Sequence, residues 1–413
     1  MENMDTNQGI GMTKGRSDLY CGPLSIEPQT ILGGACKDNI RSWFTNVRVY
    51  YVHTARTAIR RSCELLGIKE GDEVLAPSYN CGTEIDALLA SGASVYLYDV
   101  DLSGKIDFQD ISRRISKKTR AIYVTHYFGF PQKLDVVKKL CNEKGIYLIE
   151  DCALALLSCD GTTQIGSVGD IAVFNFPKFL PVPDGGVLCI NNSNLAVEKW
   201  NLRPPQRDEI IGEVLPLLKR AVLRGAAGVP LVYPLLWWLL KKSRRHPQPE
   251  SNVSQADIPD YYYYDERLTD RAIARISEKI AKKTSITDVV KKRRANFRHY
   301  LTLLANAKNI RPLFEHLPTG VNPLHFPILI EDWAALCKSL NELSIAAVAW
   351  WAGYHRQLHW QDYPNACYLK DHLVALPVHQ QLRQEHIQYI SERVVELHDN
   401  KNNEKERMMT KSL

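Results

Sequence analysis

The chain lacks the short motifs that most often announce a nucleotide or metal enzyme. No Gly-x-Gly-x-x-Gly follows an apolar run and no Gly-x-x-x-x-Gly-Lys occurs, which excludes the usual dinucleotide and nucleotide phosphate loops. No His-Glu-x-x-His is present and the 12 histidines fall at irregular spacings, so no metal is expected. The 10 cysteines include no Cys-x-x-Cys pair. Several, such as Cys152 and Cys189, sit in apolar runs, which fits buried free thiols in a reducing cytoplasm better than a disulfide framework. Long basic runs are missing and the net charge is only +6, so nucleic acid is not an expected partner. The start of the chain, Met1 to Arg16, has no apolar core of a signal peptide and reads as a flexible leader.

What is present describes an ordinary globular protein. Apolar residues make up 45% and charged residues 24% of 413, enough for two domains over a large core. Between Val47 and Asn192 short apolar strands alternate with helices. Strands are expected near 72–77, 94–98, 121–125, 145–150, 171–176 and 187–190, and helices over 57–66, 83–90 and 134–142. This alternation implies an α/β fold with a mostly parallel sheet covered on both faces.

The rhythm breaks between 200 and 265. Gly225 to Leu240 is uncharged, contains Trp237 and Trp238, and leads into Lys241-Lys-Ser-Arg-Arg245. A membrane-spanning helix needs roughly 20 apolar residues, which this run does not reach. A packed helix at a subunit or domain contact is the preferred reading, and contact of 225–245 with a membrane surface is the alternative. The basic stretch from Arg267 to Leu304, including Lys291-Lys-Arg-Arg294, reads as a solvated helix face. Strands and helices resume over 325–330, 333–340, 373–377 and 385–397, which suggests a smaller C-terminal α/β domain. From Asn400 the tail is charged and expected to fray.

Two places carry candidate chemistry. Tyr147-Leu-Ile-Glu-Asp151 is a buried-type strand ending in two carboxylates, where ligands of open parallel sheets sit. Two acids simply capping a strand is the plainer alternative. Lys178 stands alone among Phe, Leu and Pro directly after another strand. A desolvated lysine loses its proton more readily, and its neutral amine can attack an aldehyde. A surface lysine that folds its stem back is again the plainer alternative. Both spots fall on strand ends of one sheet, so a shared site is plausible.

A resemblance joins these pieces. The stretches Leu66-Gly-Ile-Lys-Glu-Gly-Asp-Glu-Val74, Ala76-Pro-Ser-Tyr-Asn-Cys81, His126-Tyr-Phe-Gly129, Ile149-Glu-Asp-Cys-Ala153, Ile165-Gly-Ser-Val-Gly-Asp170 and Lys178-Phe-Leu-Pro-Val-Pro-Asp-Gly-Gly186 resemble, in order and spacing, the DegT–DnrJ–StrS family. Its members are pyridoxal 5'-phosphate (PLP) dependent sugar aminotransferases. The resemblance implies the type I PLP-transferase fold, with a seven-stranded large domain over 45–265 (a helical insertion at 200–265) and a smaller domain over 266–400. Residues 1–44 would form a leader and arm, and 401–413 a tail.

It further implies an aminotransferase acting on a keto-sugar, nucleotide-linked, with glutamate as donor, in polysaccharide or glycolipid synthesis. A homodimer is implied too. Lys178 matches the Schiff-base lysine and Asp151 the acid that binds the ring nitrogen. Arg56 and Thr57 match the helix start that meets the phosphate, where amide N–H groups favour an anion. Asn175 falls near a phosphate-contacting serine, and Tyr79 is the aromatic nearest the ring-stacking position. That position itself is Cys81. Leu154 stands where many relatives have His or Gln, and Asp265 where relatives have an asparagine. These departures motivate the alternative of a non-catalytic or regulatory relative that keeps the fold.

Overall fold

The computed structural model describes residues 19–45, 47–196, 200–227, 263–351, 353 and 355–411. The expected leader 1–16 lies outside them, as does the run 225–245 beyond Ala227.

The large sheet is built from β1 (Arg48–Val52), β2 (Glu73–Pro77), β3 (Ser94–Tyr98), β4 (Thr119–Thr125), β5 (Tyr147–Asp151), β6 (Ile171–Asn175) and β7 (Gly186–Ile190). Their order across the sheet is β1-β7-β6-β5-β4-β2-β3. Pairs among β2 to β6 are parallel, and β7 is antiparallel to both its neighbours. The fold is thus α/β with a mostly parallel seven-stranded sheet. The central strands read as unbroken apolar runs because both faces are covered: all of β7 and all but the first residue of β5 are buried.

Helices α1 (Ala55–Leu65), α2 (Thr83–Leu89), α3 (Phe108–Arg114) and α4 (Asp135–Lys144) cover this sheet. Thr54 caps α1, its hydroxyl accepting from the Thr57 amide at 3.1 Å. Gly145 ends α4 in the left-handed region, where its amide reaches back to Cys141 and Asn142. Helix α5 (Arg207–Ala226) follows, with Pro216 inside it. It occupies the stretch where the strand–helix rhythm stops, inside the expected helical insertion at 200–265.

Helices α6 (Arg275–Lys283) and α7 (Ile286–Leu303) lead to a second sheet. Its strands are β8 (Arg311–Pro312), β9 (His325–Leu329), β10 (Val348–Ala349) and β11 (Leu373–Pro377), in the order β8-β9-β11-β10 and all antiparallel. Helices α8 (Trp333–Glu342), α9 (Pro364–His372) and α10 (Gln384–Lys411) complete it. The helical backbone of α10 runs through Lys411, where a frayed tail was expected from Asn400.

The solvated-face reading of Lys291–Arg294 needs correction. Lys291 and Lys292 are exposed, but Arg293 is fully buried and Arg294 half-buried. Four consecutive residues sweep most of the way round a helix at 3.6 residues per turn, so they cannot share one face.

Candidate active site

Lys178 ends a short helical turn, Phe176–Lys178, that follows β6 directly. The turn is closed by the Phe179 and Leu180 amides on the Phe176 carbonyl, at 2.9 and 2.8 Å. Flanking Phe176 and Phe179 are buried, while Lys178 itself is half-buried. The far end of the loop is tied by Asp184. Its carboxylate accepts from His53 Nδ1 at 2.9 Å, from the Ala274 amide at 2.8 Å and from the Ser277 hydroxyl. This links the lysine loop to the start of α1 and to α6.

Gly186 makes the close approach possible. A Cβ there would stand 2.1 Å from the Thr54 carbonyl oxygen, so only glycine lets β7 lie against the first turn of α1.

Strand alternation separates the paired carboxylates at the end of β5. Glu150 turns into the fold, accepting from His126 Nε2 at 3.0 Å and from the amides of Gly166, Val168 and Gly169. Burial pushes its pKa up, but those bonds outweigh it and hold the group below the usual range. A metal-like grouping of His126, Glu150 and Cys152 exists, yet its ring and carboxylate are already engaged within the fold.

Asp151 is buried differently. It accepts from the Ala153 amide at 2.9 Å and lies 3.4 Å from the Thr125 hydroxyl. Burial, then the negative charge of Glu84, push its pKa up, and the nearby Lys178 charge pulls it down. A buried carboxylate with so few donors is receptive to a cationic N–H.

The same lysine acts on Cys81. Burial and Glu84 raise that thiol to about 12, with Lys178 opposing. Cys81 donates from Sγ to Glu84 Oε2 at 2.5 Å, and its amide donates to Oε1 at 3.0 Å. Lys178, Asp151, Cys81 and Glu84 therefore form one cluster.

The other expected residues stand as follows. Tyr79 is fully buried in an aromatic wall, 5.4 Å from the Tyr127 ring and 5.1 Å from Trp351, and its hydroxyl donates to the Trp350 carbonyl at 3.3 Å. Its ring thus joins the two sheets' layers, and Cys81 is the residue within reach of the Lys178 charge. Arg56 lies in the first turn of α1 and donates to the Tyr263 carbonyl at 3.2 Å. It adds a small part to the lowered pKa values of Asp86, where burial is outweighed chiefly by the His355 bond, and of Asp265, which Arg267 chiefly holds down. Thr57 is buried, its hydroxyl 3.3 Å from the Leu268 carbonyl. Asn175 closes β6, half-buried, opposite Gly186. Leu154 is fully buried, and Asp265 is held by Arg267.

Three residues of the second sheet's layer were missed. Buried Arg293 spans the gap from α7, with Nη2 3.5 and 3.4 Å from the carbonyls of Lys178 and Phe179 and Nη1 near those of Pro323 and Leu324. Its neighbours are all basic, so the sequence pattern hid it. Lys370 of α9 is buried too, donating to the carbonyls of Asn80, Trp351 and Gly353 at 2.6–2.9 Å, and burial lowers its pKa to about 8. His325 opens β9. Burial, then Arg293, lower it to about 3, with Lys178 adding to the effect.

This donor set suits a pyridine aldehyde that carries an anionic group. It offers an amine, a buried carboxylate for a ring N–H, and a helix start bearing Arg56. Asp86 and Asp265 oppose the anion at that last position.

Comparison with known proteins agrees. The chain is 30% identical over 151 residues to GDP-perosamine synthase of Vibrio cholerae, covering 36% of this chain and 41% of that one. It is 32% identical over 154 residues to dTDP-4-dehydro-2,3,6-trideoxy-D-glucose 4-aminotransferase of Saccharopolyspora spinosa, covering 36% and 40%. The matches thus span well under half of these relatives. Among solved structures, the PLP form of Spr1654 from Streptococcus pneumoniae superposes with a TM-score of 0.65 at 16% identity, over 93% of this chain and 99% of that one, which establishes the shared fold. The model of the DegT/DnrJ/EryC1/StrS aminotransferase family matches residues 42–206 and 260–395, and the chain belongs to that family.

Proposed function

We propose that the chain is a PLP-dependent aminotransferase that moves an amino group, from glutamate, onto a nucleotide-linked keto-sugar in polysaccharide or glycolipid synthesis. The observation that carries this reading is the placement of buried Asp151 at the end of β5 and of Lys178 in the turn that follows its paired neighbour β6. Family membership and the names of the two curated relatives, both sugar-nucleotide enzymes, support it.

PLP, when bound, supplies an aldehyde and an electron-withdrawing ring. Lys178 Nζ would hold the aldehyde, and its free amine would take the proton from the donor carbon as base and return it to the cofactor as acid. Asp151 would pair with the ring N–H. Arg56 and the start of α1, with Thr57 and Asn175 alongside, would face the phosphate. Tyr79 would act from the wall behind Cys81. Neutral His325, near Lys178, would border the substrate.

In this reading the large domain, 45–265, carries the site and the smaller one, 266–400, closes over it. In the same reading the protein is a cytoplasmic homodimer, with 225–245 serving a subunit or domain contact and contact with a membrane surface as the alternative. No described helix is long and apolar enough to cross a membrane. Mass spectrometry of products from candidate keto-sugars plus glutamate tests the activity. An amine gained by the sugar supports it, and sugars returned unchanged with PLP bound favour a regulatory relative.

A further inference from the structure

Four parallel strands stand side by side in the order β6-β5-β4-β2. Lys178 follows the first, Asp151 closes the second, and the bend 78–82 follows the last. Cys81 lies half-buried in that bend, two residues before α2 begins. The charge of Lys178 pulls against the raised pKa of its thiol. Buried Lys370 of α9 is close as well, since it donates to the Asn80 carbonyl at 2.6 Å and the Cys81 charge acts on it. Tyr79 and Tyr123 also face the thiol, and burial keeps both phenols neutral. A cysteine beside lysines is ordinarily reactive, because the cations favour its thiolate.

Glu84 reverses that tendency. The carboxylate is buried, and both of its oxygens are committed to one residue: Oε1 accepts from the Cys81 amide at 3.0 Å and Oε2 from Cys81 Sγ at 2.5 Å. A carboxylate only accepts, so the thiol must keep its proton to make this bond. The Thr83 hydroxyl closes the triangle, 2.9 Å from Sγ and 3.3 Å from Oε2. A carboxylate that merely capped the start of α2 would need the amide bond alone. The bond to sulfur is left over, and the reaction proposed above gives it no part.

We propose that Glu84 is a positioning residue that holds Cys81 as an unreactive thiol in the Lys178 site, so that an aldehyde entering there meets the amine and not the sulfur. This rests on the reading of Lys178 as the lysine that takes the PLP aldehyde. Unguarded, Cys81 adds to the same carbon. Its sulfur bonds to carbon, the C=O π pair moves onto oxygen, and that oxygen takes the proton that sulfur gives up. The product has no carbonyl for Lys178 to condense with. Glu84 opposes the first step by keeping the proton on sulfur, since the thiolate is the nucleophile.

The test is the rate of iodoacetamide labelling of Cys81 against pH, read by peptide mass spectrometry on the full chain without PLP, for wild type and Glu84→Gln. Absorbance after adding PLP is recorded alongside. Glutamine keeps the shape, and its carbonyl can still accept from the Cys81 amide, but its NH2 donates to sulfur and favours the thiolate. The wild-type rate should still be climbing well above the ordinary thiol value of about 8.5, and a plateau there overturns the proposal without any variant. Glu84→Gln should level off at lower pH and label at least about three-fold faster near neutral pH, because a tenfold gain in thiolate is partly offset by its weaker nucleophilicity. With PLP it should show a weakened band near the visible edge, which Glu84→Gln/Cys81→Ala restores. An unmoved profile, labelling faster by one factor at every pH, or a full band in Glu84→Gln each refutes the guard while leaving the PLP reading intact. A wild type with no band refutes the PLP reading, and the guarding role falls with it.

Discussion

Replacing Arg293 by methionine keeps much of the side chain's volume but removes every bond the guanidinium makes. The carbonyls of Lys178, Pro323 and Leu324 then lose a buried donor, and the half-buried Gln380 Oε1 loses its bond from Nε. Phe179 keeps a second donor, Gln380 Nε2 at 2.8 Å. The three carbonyls alone cost about 3–9 kcal/mol at ~1–3 kcal/mol each. Relief from burying a cation, whose pKa burial has lowered to about 9, offsets part of this. Breaking a buried charged cluster from one side typically costs about 3–5 kcal/mol, and we expect a loss near the lower end of that range. Total domain stability is about 5–15 kcal/mol, so the effect is large. Urea unfolding by tryptophan fluorescence should show a clear fall in midpoint with little change in slope. Arg293→Lys should fall between, since an ammonium cannot span the same acceptors. Exposed Arg311→Met is the control. A loss at Arg293 of under about 1 kcal/mol, or one equal to that of Arg311→Met, would refute the clamp.

His325 should make the protein acid-sensitive. The unfolded residue takes up a proton below about 6.5, and the folded one only near about 3. The unfolded state therefore binds more protons in between, so this contribution is fully present above 6.5 and shrinks as pH falls. It amounts to about 2 kcal/mol lost by pH 5. His325→Asn, which can still donate to the Leu376 carbonyl, should flatten the pH dependence of the urea midpoint, and equal slopes would contradict the assignment.

Gly186→Ala forces a Cβ onto backbone atoms of Thr54 and Ala55 and should cost at least ~1–3 kcal/mol and weaken PLP binding. Gly212→Ala on α5 meets nothing within 4 Å and should stabilise by up to about 1 kcal/mol, so equal thermal shifts would be a failure. Lys370→Met should free the loop at Asn80 and hasten iodoacetamide labelling of Cys81 followed by peptide mass spectrometry. An unchanged rate would show that Lys370 does not hold that loop.

Much of the large sheet was legible because buried parallel strands write themselves as apolar runs. β3 and β11 fall on their expected limits, and β2, β4, β5, β6 and β7 within two residues. Strand β1 was missed because Arg48-Val-Tyr-Tyr-Val52 is half-buried and lacks that signature. The placement of Asp151 and Lys178 at neighbouring strand ends was readable from position alone, since Asp151 closes β5 and Lys178 follows β6. Arg293, Lys370 and His325 were not, because each reaches the site from elements more than a hundred residues later, and only tertiary packing brings them there. Tyr79 shows the opposite problem. An aromatic beside the right segment suggested ring contact, but Tyr79 lies in the bend after β2, where its ring packs in the Tyr127–Trp351 wall, while the Lys178 charge acts on Cys81.

The most direct measurement is the absorbance spectrum of the purified protein reconstituted with PLP, taken before and after glutamate, for wild type and Lys178→Ala. Wild type should show a band near the visible edge that is fixed by borohydride to Lys178 and shifts to shorter wavelength on adding glutamate. A colourless wild type, or an identical spectrum from Lys178→Ala, would contradict the assignment of Lys178 and with it the proposed chemistry.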